Sequence, residues 1–178
     1  FCLLVVGGSQ GAKIFDDIVK DVIINLSKKN KIKIIQQTQK INVDYLKNIY
    51  NEAGIENTIF DFEDNLVDLI NQSDLCITRA GASTLAELSI MNKPFLAVPL
   101  VSSKDNHQFE NANFYKNLGY CWIMCQKDFN IINLEKFLDH IILNKSEYNV
   151  KKDNLEKHNF QNSWNDINRK ILETINEN

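Results

Sequence analysis

The chain is poor in several things, and each shortage removes a class of function. It has two arginines, Arg79 and Arg169, and net charge −3, with 23 acidic against 20 basic residues. No basic field points to nucleic acid, so no nucleic acid partner is expected. No apolar run approaches the ~18–20 residues of a membrane span, and no secretory signal is visible. The four cysteines (Cys2, Cys76, Cys121 and Cys125) show no paired C-x-x-C spacing; they read as reduced thiols with no metal site. There are two prolines, Pro94 and Pro99, and six glycines in 178 residues, leaving no linker, repeat or low-complexity tract inside the chain. The chain opens on Phe1 at the edge of an apolar run, which suggests a piece of a longer protein.

What is present is an alternation of short apolar runs with helical periodicity. Strands are expected at about 2–6, 32–36, 57–60, 74–78, 94–98 and 120–124, mostly β-branched or aromatic, as in parallel strands covered on both faces. Helices are marked by Ile14, Ile18, Val22 and Leu26, then by Leu46, Ile49 and Tyr50 ending near Gly54. Leu66, Leu69 and Ile70 follow, then Leu85, Leu88 and Met91 stopped before Pro94, and finally Asp105 to Leu118 stopped by Gly119. The pattern predicts a Rossmann-like, doubly wound α/β sheet. We expect one domain over 1–178, with an α/β core to about 126 and a helical tail over about 127–178. The tail carries two apolar stripes, Ile131, Leu134, Phe137, Leu138 and Ile141, then Phe160, Trp164, Ile167, Ile171 and Ile175. They either pad the sheet or, for the last helix, cross towards another domain.

Residues 2–12, CLLVVGGSQGA, run an apolar strand into a glycine-rich turn at a helix start. Glycines let backbone approach an anion, and first-turn N–H groups with the helix dipole favour negative charge. The spacing is neither G-x-G-x-x-G nor G-K-[ST], and a tight turn without ligand is the plainer reading. In open parallel sheets ligands bind beyond the carboxyl ends of strands, and three more segments fall there. In Asp74–Leu88 a strand turns at Gly81 into a helix holding Ser83 and Thr84. Glu87 reaches back to the helix start, placed either for a ribose diol or simply to complement the dipole. In Pro99–Ala112 a polar loop enters a helix crowded with Asn106, His107, Gln108 and Asn111, a donor and acceptor set suited to sugar hydroxyls, with Asp105 or Asn106 as an ordinary N-cap. Phe60–Leu66 is the third, where backbone groups can pair with the edge of a base.

Together GGSQGA at 7–12, D-N at 64–65, TRAGASTLAEL at 78–88, Pro99 and DNHQFENA at 105–112 resemble the donor-binding half of the GT-B glycosyltransferases of family 28. The resemblance runs in order up to about residue 145. It implies an inverting N-acetylglucosaminyltransferase that moves GlcNAc from UDP-GlcNAc onto lipid I, making lipid II for peptidoglycan. By that resemblance Ser9, Gln10 and Gly11 hold the diphosphate. Ala82, Ser83, Thr84, Leu85, Ala86 and Glu87 line the nucleotide, with Glu87 on the ribose, and His107, Gln108 and Asn111 address the GlcNAc hydroxyls. Glu63 stands at the uracil-contacting position, often aliphatic in the family, where the contact is through backbone. Arg79 matches a family arginine that is either structural or in contact with ligand.

The resemblance further implies that the acceptor-binding N-terminal domain is absent. That domain carries a GGTGGH-type loop with the presumed base, and the hydrophobic patch for the inner membrane. No catalytic residue is therefore expected in this chain and no cofactor in this domain. The whole enzyme would be peripheral on the cytoplasmic face of the bacterial inner membrane, whereas this piece would be soluble and inactive alone. Two alternatives share the architecture: a nucleotide-sugar epimerase or hydrolase, and a non-catalytic donor-binding subunit of a split glycosyltransferase.

Overall fold

A computed structural model describes residues 1–8, 13–100 and 106–157. Six parallel strands form one sheet: β1 (Cys2–Val6), β2 (Lys33–Gln37), β3 (Glu56–Phe60), β4 (Leu75–Thr78), β5 (Phe95–Ala97) and β6 (Cys121–Ile123). Their spatial order is β3-β2-β1-β4-β5-β6. This is the doubly wound Rossmann order, in which the chain reverses direction of growth between β1 and β4. Every strand lies within about two residues of its expected place, because a short run apolar on both faces has few other homes.

Alternation along the strands separates two cores. Leu3, Val5, Ile34, Leu75, Ile77, Leu96 and Val98 face one side, under α1 (Lys13–Ser27), α2 (Val43–Glu52) and α6 (Ile131–Leu143). Leu4, Val6, Ile35, Cys76, Phe95 and Ala97 face the other. That side is covered by Ile70 of α3 (Leu66–Gln72), Leu85 and Leu88 of α4 (Ala82–Ile90), Ala112 of α5 (His107–Asn117) and Leu155 of α7 (Lys145–Lys157).

Two helical stripes differ in detail from the sequence reading. The buried face of α1 is Phe15, Val19, Val22, Ile23 and Leu26, with Ile14 and Ile18 only half-buried at its flank. A strict i+4 line drifts round a 3.6-residue helix, so it leaves the true apolar face. In α6 the stripe begins at Leu134, since Ile131 in the first turn is exposed. The helix α4 ends on Asn92, left-handed at φ 52°. Asn92 and Lys93 N–H return to the Ser89 and Leu88 carbonyls, a helix-ending turn that precedes Pro94. The stripe from Phe160 to Ile175 lies outside the described residues.

All four cysteines are free, with Cys2, Cys76 and Cys121 buried and Cys125 half-buried. Burial raises the thiol pKa of Cys2 and Cys76 and pushes Cys121 up to about 12. A raised pKa keeps the thiol protonated and unreactive below it. A thiol reagent at about pH 8 is thus expected to titrate Cys125 fast and the other three only on unfolding. Rapid reaction of three or four thiols in the folded chain would contradict this packing.

Candidate functional site

Parallel pairing brings the exits of all six strands to one edge, and the β1–β4 switch point sits at its centre. There β1 leaves through Gly7 and Gly8, with Gly8 at φ 84°, a conformation only glycine takes without strain. Ser9, Gln10 and Gly11 lie outside the described residues. Next to it β4 leaves through Arg79, Ala80 and Gly81. Ala80 is fully buried and left-handed at φ 62°, which costs an L-residue about 1 kcal/mol. Two side chains hold this turn. Asn111 of α5 donates its Nδ2 to the Ala80 carbonyl at 3.3 Å. Arg79 donates Nη1 to the Val98 carbonyl at 3.2 Å and to Gln126 Oε1 at 2.8 Å, and its guanidinium lies 4.9 Å above the Phe15 ring. Burial lowers the Arg79 pKa, yet a guanidinium starts so far above neutrality that it stays charged. Arg79 is therefore a cationic brace joining β4, β5, α1 and the turn after β6.

The turn delivers α4 with its amino end open. Gly81 is the N-cap, extended at φ −65°, ψ 138°, with no side-chain cap. The first intrahelical bond runs from Leu85 N–H to the Gly81 carbonyl at 3.0 Å, leaving the N–H groups of Ala82, Ser83 and Thr84 directed out of the helix end. Gly81, Ala82 and Ser83 are exposed. Glu87 is half-buried one turn after Ser83, on the same face. Ala86 is half-buried, whereas the Leu85 side chain is wholly buried in the core. Of Leu85, then, only backbone can serve a ligand.

The third exit is β5, through Val98, Pro99 and Leu100. The Leu100 N–H donates to Gln108 Oε1 at 2.9 Å, fastening the start of α5 to the end of β5. With its oxygen so engaged, Gln108 can meet a ligand as a donor, through Nε2. Asn106 caps α5 without a side-chain bond, so a second helix opens its amino end at this edge. His107 is exposed and Gln108 half-buried in its first turn.

Glu63 stands apart. The edge strand β3 is separated from β4 by β2 and β1, about 14 Å at ordinary strand spacing. Its side chain is exposed and accepts from Asn65 N–H at 3.1 Å, closing a local turn. Beside it Phe62 is 73% exposed, an aromatic face available for stacking on a planar base. Sequence reasoning gave it no role, although F-D-F spacing from Phe60 puts both rings on one side of an extended chain. Gln126, the anchor of Arg79, was also missed; nothing local marks it, because its partner is 47 residues away.

Among the described residues no group of His, Cys, Asp or Glu is arranged to hold a metal ion, and no helix is long and apolar enough to cross a membrane. A cavity of ≈ 350 Å³ opens at the opposite edge, lined by Phe1, Lys31, Asp74, Lys145, Tyr148 and Lys152 among others. Two of its polar residues serve the fold: Asp74 Oδ2 accepts from Cys2 N–H at 2.7 Å, and Tyr148 donates its hydroxyl to the Asp74 carbonyl at 2.8 Å.

Comparison with known proteins agrees with this geometry. The family model described as the glycosyltransferase family 28 C-terminal domain matches residues 2–167. A UDP-N-acetylglucosamine--N-acetylmuramyl-(pentapeptide) pyrophosphoryl-undecaprenol N-acetylglucosamine transferase of Pelagibacter ubique is 54% identical over 99% of this chain and 49% of its own length. The enzyme of the same name from Wolbachia pipientis is 31% identical over 97% of this chain and 52% of its own. The chain thus spans about half the length of the curated relatives it matches. The crystal structure of Acinetobacter baumannii MurG superposes with TM-score 0.75 at 26% identity, covering 89% of this chain and 47% of that one. A Staphylococcus aureus MnaA–UDP structure, 13% identical with TM-score 0.61, shares the fold over 85% of this chain and 39% of that one. This chain belongs to the glycosyltransferase family 28 C-terminal domains.

Proposed function

We propose that this chain is the donor half of a transferase that moves GlcNAc from UDP-GlcNAc onto lipid I. The observation that carries the reading is the switch-point edge itself. Two uncapped helix ends, the glycine turn after β1 and the side chains of Glu87 and Gln108 all belong to neighbouring strand exits. Such a cluster suits one ligand with an anionic centre and hydroxyls at both ends. Relatives named for the same transfer support the identity of the donor.

In this reading Ser9, Gln10, Gly11 and the amino end of α1 receive the diphosphate. The carboxylate of Glu87 accepts from ribose hydroxyls, and Ser83 and Thr84 stand beside it. Gln108 donates Nε2 to a sugar hydroxyl, with His107 alongside, while Asn111 shapes the pocket through Ala80. Backbone at Glu63, with the Phe62 ring, meets the base. The acceptor hydroxyl oxygen attacks the anomeric carbon as the bond from that carbon to the phosphate oxygen breaks, inverting the centre. UDP departs with the electron pair, and the proton goes to a base in the other half of the enzyme. The part played here is to bind the donor and spread the charge of the leaving diphosphate over preorganised N–H dipoles. The whole enzyme would work as a peripheral protein on the inner face of the membrane, docked through that other half.

Calorimetry on the chain with UDP-GlcNAc, UDP and GDP tests this. The expected result is binding of both uridine nucleotides and much weaker binding of GDP. Glu87→Ala should weaken UDP about tenfold, the loss of a charged hydrogen-bond acceptor. Equal affinity for all three ligands, or a Glu87→Ala chain that binds like the wild type, would refute the assignment.

A further inference from the structure

Asp16 is the one buried carboxylate among the described residues, 6% exposed in the first turn of α1. Its Oδ1 accepts from Gln36 Nε2 at 3.0 Å. Its Oδ2 accepts from Thr38 Oγ1 at 2.6 Å and from Asn42 Nδ2 at 3.1 Å. Tyr50 completes the group by donating its hydroxyl to Gln36 Oε1 at 2.8 Å. All three donors to the carboxylate are neutral, and they come from β2, its exit and the short turn before α2. Burial, then Asp16 itself, raises the Tyr50 pKa, so this hydroxyl keeps its proton.

A leucine at this position would join the apolar face of α1. What the carboxylate supplies instead is registry: the first turn of α1 cannot rotate or slide past the β2 exit without breaking three directed bonds. That turn follows the glycine-rich sequence that leaves β1, and a helix amino end with its dipole favours an anion. We propose that Asp16 is a positioning residue for the donor diphosphate, setting the amino end of α1 against the β1–β4 crevice. The proposal rests on the donor reading given above. It has an electrostatic signature, because the buried negative charge lies at the helix end where the anion binds and so opposes it. Asn can keep every link without that charge. Its Oδ1 takes Thr38 and Asn42, and the Gln36 amide turns over to accept from Asn Nδ2. The Tyr50 hydroxyl then accepts instead of donating.

The test is binding of UDP by calorimetry, and of uridine by ligand-observed NMR, to the wild-type, Asp16→Ala, Asp16→Asn and Thr38→Val chains. Asp16→Ala should raise the UDP Kd about tenfold through misplaced phosphate donors, with uridine affinity unchanged. Asp16→Asn should bind UDP at least as tightly as the wild type, and Thr38→Val should fall between. Three results overturn the proposal: unaltered UDP affinity in Asp16→Ala, equal loss of UDP and uridine, or an Asp16→Asn chain as weak as Asp16→Ala. Where Asp16→Ala yields no folded protein, Asp16→Asn and Thr38→Val decide by the same criteria. A wild-type chain that binds no UDP overturns the donor reading and this proposal together; UDP binding indifferent to Asp16 and Thr38 overturns this proposal alone.

Discussion

Replacing Arg79 with alanine is expected to lower the unfolding free energy by about 3 kcal/mol, from two hydrogen bonds of a charged donor and one cation–π contact. The truncation also leaves the Val98 carbonyl and Gln126 without their cation. The left-handed Ala80 turn is then held from α5 alone, so UDP affinity should drop with stability. Arg79→Lys should recover only part of both, since one nitrogen of a rigid planar fork now meets two acceptors while the guanidinium face covers Phe15. Urea unfolding and calorimetry on the three chains check this. A fully stable Arg79→Ala chain that merely binds UDP less well would make Arg79 a ligand contact and not a brace.

Leu85→Ala separates the same two roles in the opposite direction. The side chain is fully buried with Leu88, Ile70, Cys76 and Phe95 in one core. Its removal should cost about 3 kcal/mol, transfer and cavity terms together. Since Leu85 can offer a ligand only backbone, the folded fraction should bind UDP as the wild type does. Denaturant titration and UDP titration below the unfolding transition give the two numbers. A large loss of UDP affinity with little loss of stability would place the side chain in the site after all.

The contrast between these two residues shows what a sequence can and cannot disclose. Strands β1, β4 and β5 were readable because residues such as Leu3, Leu4, Ile77 and Leu96 are apolar on both faces, and parallel strands need that. Gly8 and Gly81 marked the turns, and a parallel sheet then fixes the edge where Glu87 and Gln108 fall. Although Arg79 and Asn111 stand in the motifs, the partners through which side chains hold the edge in shape were not readable. Arg79 finds Gln126 across 47 positions, Asn111 finds Ala80 across 31, and Asp16 finds Gln36, Thr38 and Asn42 across 20 to 26. Each is a polar side chain with no local periodicity, and only the fold supplies its partner. For the same reason Leu85, inside a motif, reads as a binding residue, although its helix face turns it into the core.

The claim on which the rest depends is the location of the donor at the switch-point edge, and backbone amide shift mapping of the labelled chain during a UDP titration tests it most directly. The expected perturbations fall on Gly7, Gly8, Phe62, Glu63, Gly81 to Glu87, Leu100 and His107 to Asn111. Shifts concentrated on Lys31, Asp74, Lys145 and Tyr148 around the cavity at the opposite edge, with the switch point unmoved, would contradict it.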